Sequence, residues 1–335
     1  MTIQQLLKTA PVTTLLLVSF IGLFIVQVLT GVDANNPSTA ELLKWGANAL
    51  PYTMDNEPWR LASSAFLHIG LMHLLFNGFA MYFFGQIAEP MFGSAKFLAL
   101  FLLAAIGGNL LNNHITWQGI LDGTGQPGLS AGASGGIMGI GAALLIAALF
   151  KISVNGMVLN LKSLIIIMGI NLVYGFAVPG IDNAGHIGGA VTGLVIALAF
   201  AIAYRQRFAA TLQHAPSAAR DIYQTTYINP PASSDPDFSA ANPSFDNDTP
   251  RFDNDGNFDN NSSFNHDSAV NLPINVNANQ ATVNQPNFNE QQTATKSIFI
   301  WQLLPWLVML LISIGFIWWW QDIHQQILQV LAAIE

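Results

Sequence analysis

"GASGGIMGIGAALLIAALF", residues 132–150, contains no charged residue, and its one hydroxyl is Ser134. At 19 residues it approaches the ~20 that an α-helix needs to cross a hydrocarbon core of about 30 Å. Uncharged windows of this kind recur along the chain, at roughly 11–31, 61–88, 97–117, 131–150, 163–180, 184–204 and 297–320. Only 9% of the 335 residues are charged and 52% are hydrophobic, whereas soluble globular chains carry about 25% charge. The chain is therefore expected to be an all-α polytopic membrane protein, a six-helix bundle plus one C-terminal transmembrane helix. The third window is the weakest of the seven, because Asn109, Asn112 and Asn113 crowd its end.

The first window follows Lys8 and stays uncharged from Thr9 to Val32. That is too long for a signal-peptide core and long enough to span, so it is expected to be the first transmembrane helix. Lys and Arg set the orientation. With the N-terminus in the cytoplasm, Lys8, Lys96, Lys151, Lys162, Arg205, Arg207, Arg220, Arg251 and Lys296 face inward, and only Lys44 and Arg60 face outward. In that orientation Trp318, Trp319 and Trp320 form an aromatic anchor at the outer interface. The expected location is a bacterial cell membrane.

The expected divisions are a core over 1–207, a tether over 208–296, a seventh helix over 297–321 and an outer tail over 322–335. The tether is rich in Asn, Asp, Pro and Ser. It has too little apolar surface to offset its ordering entropy, so it is expected to be disordered. Residues 33–60 form the longest outward loop. Within it Leu42, Leu43, Trp45 and Leu50 stand beside Glu41 and Lys44, a pattern suited to the membrane interface. The net charge of −8 and the lack of a basic patch speak against nucleic acid as a partner. With no cysteine, disulfides and Cys nucleophiles are excluded.

Polar groups at membrane depth are costly and mark candidate sites. Three qualify. "HIGLMHLLFN" carries His68, His73 and Asn77 on the expected second helix, and His73 and Asn77, four apart, share a face. Ser134 stands among glycines. Gly132 with Gly136, and Gly135 with Gly139, make small-xxx-small pairs suited to helix contact. The same glycines let backbone N–H groups be approached closely. "NAGHIGGAVTG" opens the sixth helix with His186, and Gly189 and Gly193 follow on its own face. This stripe is expected to dock on the glycine-rich fourth helix and bring His186 beside Ser134. Serine needs a base for its proton and donors for an oxyanion, and the three helices supply both at one depth. Asp182 precedes His186 by four residues but follows Pro179 and Gly180. A Ser–His dyad is expected in preference to a triad.

These motifs resemble those of the rhomboid family of intramembrane serine proteases. "GASG" (132–135) is similar to the family's G-x-S-G, "HLLFN" (73–77) to its H-x-x-x-N, and "HIGGAVTG" (186–193) to its H-x-x-G-x-x-x-G. "WR" (59–60) resembles a motif of its first loop. The resemblance covers about residues 11–206. It implies that Ser134 is the nucleophile and His186 the general base. It implies an oxyanion hole of His73, Asn77 and the Ser134 N–H, and substrates that are single-span membrane proteins cut near the outer face. Water would reach the dyad from that side, with residues 176–185 as a cap. No cofactor or metal is implied. Many members carry an aromatic four residues after the serine, where this chain has Met138. A pseudoprotease that binds membrane clients is the runner-up, disfavoured because Ser134 and His186 are both present. A solute channel would spread polar groups along several helices.

Overall fold

The structure is a computed structural model and describes residues 3–125, 128–152, 159–177, 181–213 and 288–334. A short helix α1 (Ile3–Thr9) leads into α2 (Pro11–Leu29). Proline at the first position of α2 costs nothing, since that N–H has no intrahelical partner. The long loop that follows carries α3 (Thr39–Lys44), strand β1 (Asn48–Ala49), α4 (Leu50–Thr53) and α5 (Arg60–Ser63). Then come α6 (Leu71–Phe92), α7 (Ser94–Leu121), strand β2 (Leu129–Ser130), α8 (Ser134–Leu149), α9 (Leu161–Ala177), α10 (Asn183–Gln213) and α11 (Phe288–Ile334). Five of these, α2, α6, α7, α10 and α11, are long and apolar enough to cross a membrane, and α8 and α9 are shorter apolar helices. The protein is thus a multi-pass membrane protein.

Helix α8 is central and packs against α6, α7 and α9. Its glycines and alanines leave little side-chain volume, so neighbouring backbones approach closely. The main apolar cluster gathers around it from α2, α6, α7 and α10, with Phe20, Phe97, Phe101, Ile140, Leu144 and Ile196 fully enclosed.

Polar side chains fasten the ends of the bundle. At one end Glu89 of α6, 1% exposed, accepts bonds from the Val12 N–H (2.9 Å), the Thr13 N–H (2.7 Å), the Thr13 hydroxyl (2.8 Å) and the Ser94 hydroxyl (2.6 Å). One buried carboxylate thereby satisfies orphan donors at the start of α2. At the other end the asparagines of α7 latch the long loop. Asn109 donates to Leu61 O and the Ser64 hydroxyl, both at 2.8 Å, and Asn113 exchanges bonds with Asn48. These residues made the third window look weak. They lie at i, i+3 and i+4, on one face that meets another part of the chain.

Several expectations are corrected. The second helix does not fill 61–88. It begins at Leu71, after Gly70 at φ +89°, because residues 60–66 form α5 and a 3₁₀ turn. His68 therefore lies before the helix and not on it. Within residues 39–50 part of the apolar pattern faces inward. A capping box of Ser38 and Glu41 starts α3, and its Leu42 packs with Leu67 and Ala131. Helix α11 begins at Phe288, inside the expected tether, and runs through the expected outer tail to Ile334. Of Trp318, Trp319 and Trp320, only Trp318 faces outward (67% exposed), while Trp319 and Trp320 pack against the cluster of Leu50, Met54, Leu110 and Trp117. The Trp320 indole N–H donates to Thr53 O (2.9 Å), and the Trp117 indole N–H to Gln326 (3.1 Å). Most of the Asn-rich segment, 214–287, and part of the expected cap, 178–180, lie outside the described residues.

Candidate active site

Ser134 is the first residue of α8. The strand leading to it, β2, pairs antiparallel with β1, Asn48 opposite Ser130 and Ala49 opposite Leu129. Gly132 sits between strand and helix at φ +145°, a conformation L side chains rarely adopt, and its N–H donates to Ser64 O (2.9 Å). A methyl group at Gly132 would fall 2.6 Å from Cε1 and 2.9 Å from Nε2 of His73. The imidazole edge of His73 thus lies directly against the GASG stretch.

His73 and Asn77 occupy successive turns of α6. The Ile69 N–H donates to Nδ1 of His73 (3.2 Å). A neutral imidazole with an accepting Nδ1 carries its proton on Nε2, so the nitrogen nearest Gly132 is a donor. Asn77 is buried and gives one amide hydrogen to His73 O (3.0 Å). Its second amide hydrogen is available to a ligand. His68 stands beyond His73, with ring centroids 5.4 Å apart.

His186 lies in the first turn of α10. Asp182 caps that helix. It accepts from the Gly185 N–H (2.7 Å), and its backbone carbonyl accepts from the His186 N–H (3.0 Å). The Asp182 carboxylate also takes bonds from the Asn112 amide (2.8 Å) and the Ser130 hydroxyl (2.7 Å). The carboxylate therefore ties α10 to α7 and to β2. His186 Nδ1 is buried and has no hydrogen-bond partner among the described residues. His73 and His186 are close enough to interact electrostatically.

Glycine seams hold α10 in place. A methyl group at Gly189 or Gly193 would overlap the carbonyl of Gly135 or Gly139, and one at Gly135 would lie 3.3 Å from Gly185 O. The α8–α10 crossing is thus near backbone contact, one residue from Ser134 and one from His186. The pairing expected for Gly132 and Gly136 does not form. Gly132 precedes the helix and meets His73, whereas a methyl built at Gly136 would fall 2.5 Å from the Phe101 ring of α7. Met138, four residues after Ser134, is buried.

Sequence reasoning missed the second seam. Gly188 lies against Gly107 and Gly108 of α7, with Gly107 O 2.7 Å from a methyl built at Gly188. The doublets "GG" at 107–108 and 188–189 were the available signal. It weighed Asp182 only as a third member of a triad and missed its role as a helix cap, although D-N-A-G at 182–185 has N-cap spacing, and it passed over Ser130.

Residues 55–203 match the family model of the rhomboid domain. The chain is 36% identical over 184 residues to Rhomboid protease GluP of Bacillus subtilis (strain 168), covering 55% of this chain and 34% of that protein. It is 32% identical over 177 residues to Rhomboid protease AarA of Providencia stuartii, covering 48% and 62%. It is 33% identical over 162 residues to RHOMBOID-like protein 6, mitochondrial, of Arabidopsis thaliana, covering 48% and 50%. The chain thus spans between 34% and 62% of the lengths of these relatives.

Proposed function

We propose that this chain, whose residues 55–203 match the rhomboid domain, is a rhomboid-family intramembrane serine endopeptidase built on six transmembrane helices plus a seventh. The reading rests chiefly on the near backbone contact of Gly135 and Gly139 with Gly189 and Gly193. That crossing supports Ser134 and His186 as a catalytic pair, because Ser134 adjoins Gly135, and His186 stands three residues before Gly189 and next to Gly185, whose carbonyl faces Gly135.

In this reading Ser134 Oγ adds to the scissile carbonyl carbon while its proton passes to His186. The oxyanion is met by the Ser134 N–H, the His73 Nε2–H and the second Asn77 amide hydrogen. Collapse breaks the C–N bond, and His186 returns the proton to the leaving amine. Water, deprotonated by His186, then hydrolyses the acyl ester and frees Ser134. The bonds that occupy the Asp182 carboxylate favour a dyad. The buried His68 stands beside His73 and is given no role in the chemistry. Gly132, Gly135, Gly136, Gly189 and Gly193 serve packing, and Met138 fills the place one turn beyond the nucleophile. The substrates are single-span membrane proteins cut near the outer face, and the N-terminus lies in the cytoplasm of a bacterial cell.

The test is cleavage of a reporter with one transmembrane span by purified protein. Wild type cleaves, and Ser134→Ala and His186→Ala do not. Equal cleavage by all three sinks the dyad, and no cleavage by wild type favours a client-binding relative without activity. Asn77→Ala is expected to lower kcat about 100-fold with little change in KM. An unchanged kcat removes Asn77 from the oxyanion hole.

A further inference from the structure

At the end of the bundle opposite Ser134, a cleft of about 80 Å³ opens between α7, α10 and α11. Its polar lining is Lys96 of α7, Tyr204 and Arg207 of α10, and Gln302 of α11. Its walls are apolar and include Phe92 and Phe200, whose rings stack at 4.9 Å. Lys96 and Arg207 are close enough that their charges repel. No acidic side chain lines the cleft, and among the described residues neither cation has an ion pair. Two like charges held together in a half-enclosed space raise the energy of the unliganded protein, and an anion between them reverses the sign of that interaction.

We propose that this cleft binds the phosphate of an anionic phospholipid. The cations lie at the first turn of α7 and near the last turns of α10, the depth at which a spanning helix meets headgroups. A guanidinium grips phosphate with two parallel N–H bonds, and the Lys96 ammonium adds a point charge. Trp301 borders the cleft and suits the headgroup boundary. The apolar walls accept an acyl chain, which free phosphate lacks. Because α11 contributes Trp301, Gln302 and Pro305, the bound lipid joins the seventh helix to the core at this end. The inference is independent of whether the protein cuts substrates.

Thermal unfolding of the full chain in mixed micelles tests it. Phosphatidylglycerol is compared with phosphatidylcholine at equal mole fraction, and with inorganic phosphate at equal concentration. Phosphatidylglycerol is expected to raise the wild-type Tm above the phosphatidylcholine value, as a ligand of the native state does. The double variant Lys96→Gln/Arg207→Gln is expected to lose that increment, and Lys151→Gln/Arg205→Gln to keep it. The single variants Lys96→Gln and Arg207→Gln, each with a reduced increment, serve if the double variant does not fold. Three results overturn the proposal: an increment that survives in the Lys96/Arg207 variants, one lost equally in Lys151→Gln/Arg205→Gln, or one reproduced in full by inorganic phosphate.

Discussion

Gly132 couples backbone conformation to chemistry in a single residue. Its φ of +145° and the His73 ring beside it leave no room for a Cβ. Gly132→Ala therefore pushes the imidazole away from the Ile69 N–H that sets its tautomer. The expected result is a loss of turnover of at least about 100-fold, the scale of one missing oxyanion donor. The strain in the turn costs only about 1–2 kcal/mol, so the variant stays folded. Reporter cleavage and Tm measured on the same sample check both halves, and wild-type turnover with Ala at 132 refutes the account. Gly189→Ala differs, because its methyl would meet the backbone of α8, which has no rotamer to adopt. That variant loses about 3 kcal/mol, the upper end of overpacking costs. Gly22→Ala, with nothing within 4 Å, is the neutral control. The candidate site was legible at this scale because polar groups are rare in a chain this apolar. Ser134, His73, Asn77 and His186, with His68, stand out as polar groups at membrane depth on three expected helices. The hydrogen bond from Ile69 to His73 was not legible, because it depends on where α6 begins.

At the scale of elements, the helices were legible wherever length and lack of charge agreed. They were misjudged where a polar group near an end had a partner elsewhere. Window 61–88 ran too far toward the N-terminus because α5 and the 3₁₀ turn are as uncharged as the helix after them. Window 97–117 looked the weakest because Asn109, Asn112 and Asn113 crowd its end, whereas each is paired and α7 runs from Ser94 to Leu121. Helix α8 ends in a further local conflict. The Lys151 N–H bonds to Ala148 O and the Ile152 N–H to Ala147 O, the pattern of a Schellman cap. The residue in the left-handed position is Lys151, at φ +52°, where glycine is usual. Lys151→Gly is expected to stabilise the protein by about 1 kcal/mol, the cost of a side chain in that region. Thermal unfolding reads the gain, and a fall in Tm means that the lysine charge at the helix end contributes more than the strain costs.

At the scale of the whole molecule, the two ends of the bundle are chemically unlike. The end with Ser134 is roofed by the loop of α3, β1, α4 and α5, latched by asparagines and clasped by Trp320 of α11. The opposite end carries Lys8, Lys96, Lys151, Arg205 and Arg207. The clasp was not legible in the sequence, because Trp318–Trp320 fits an aromatic belt and a docking surface equally well. Only the fold distinguishes the two. The polarity itself was legible, since lysine and arginine placement follows the membrane's sides. It yields a test suited to this chain, which has no cysteine of its own. Single cysteines at the exposed positions Asn56 and Asp122 mark the Ser134 end, and those at Lys8 and Asn160 mark the other. In sealed right-side-out vesicles a membrane-impermeant maleimide is expected to label Asn56→Cys and Asp122→Cys. Lys8→Cys and Asn160→Cys should react only after permeabilisation. The reverse pattern overturns the orientation, and with it cleavage at the outer face. Labelling of one residue from each pair overturns the packing of the bundle itself, since no rotation of an intact bundle exposes Asn56 and Asn160 on the same side.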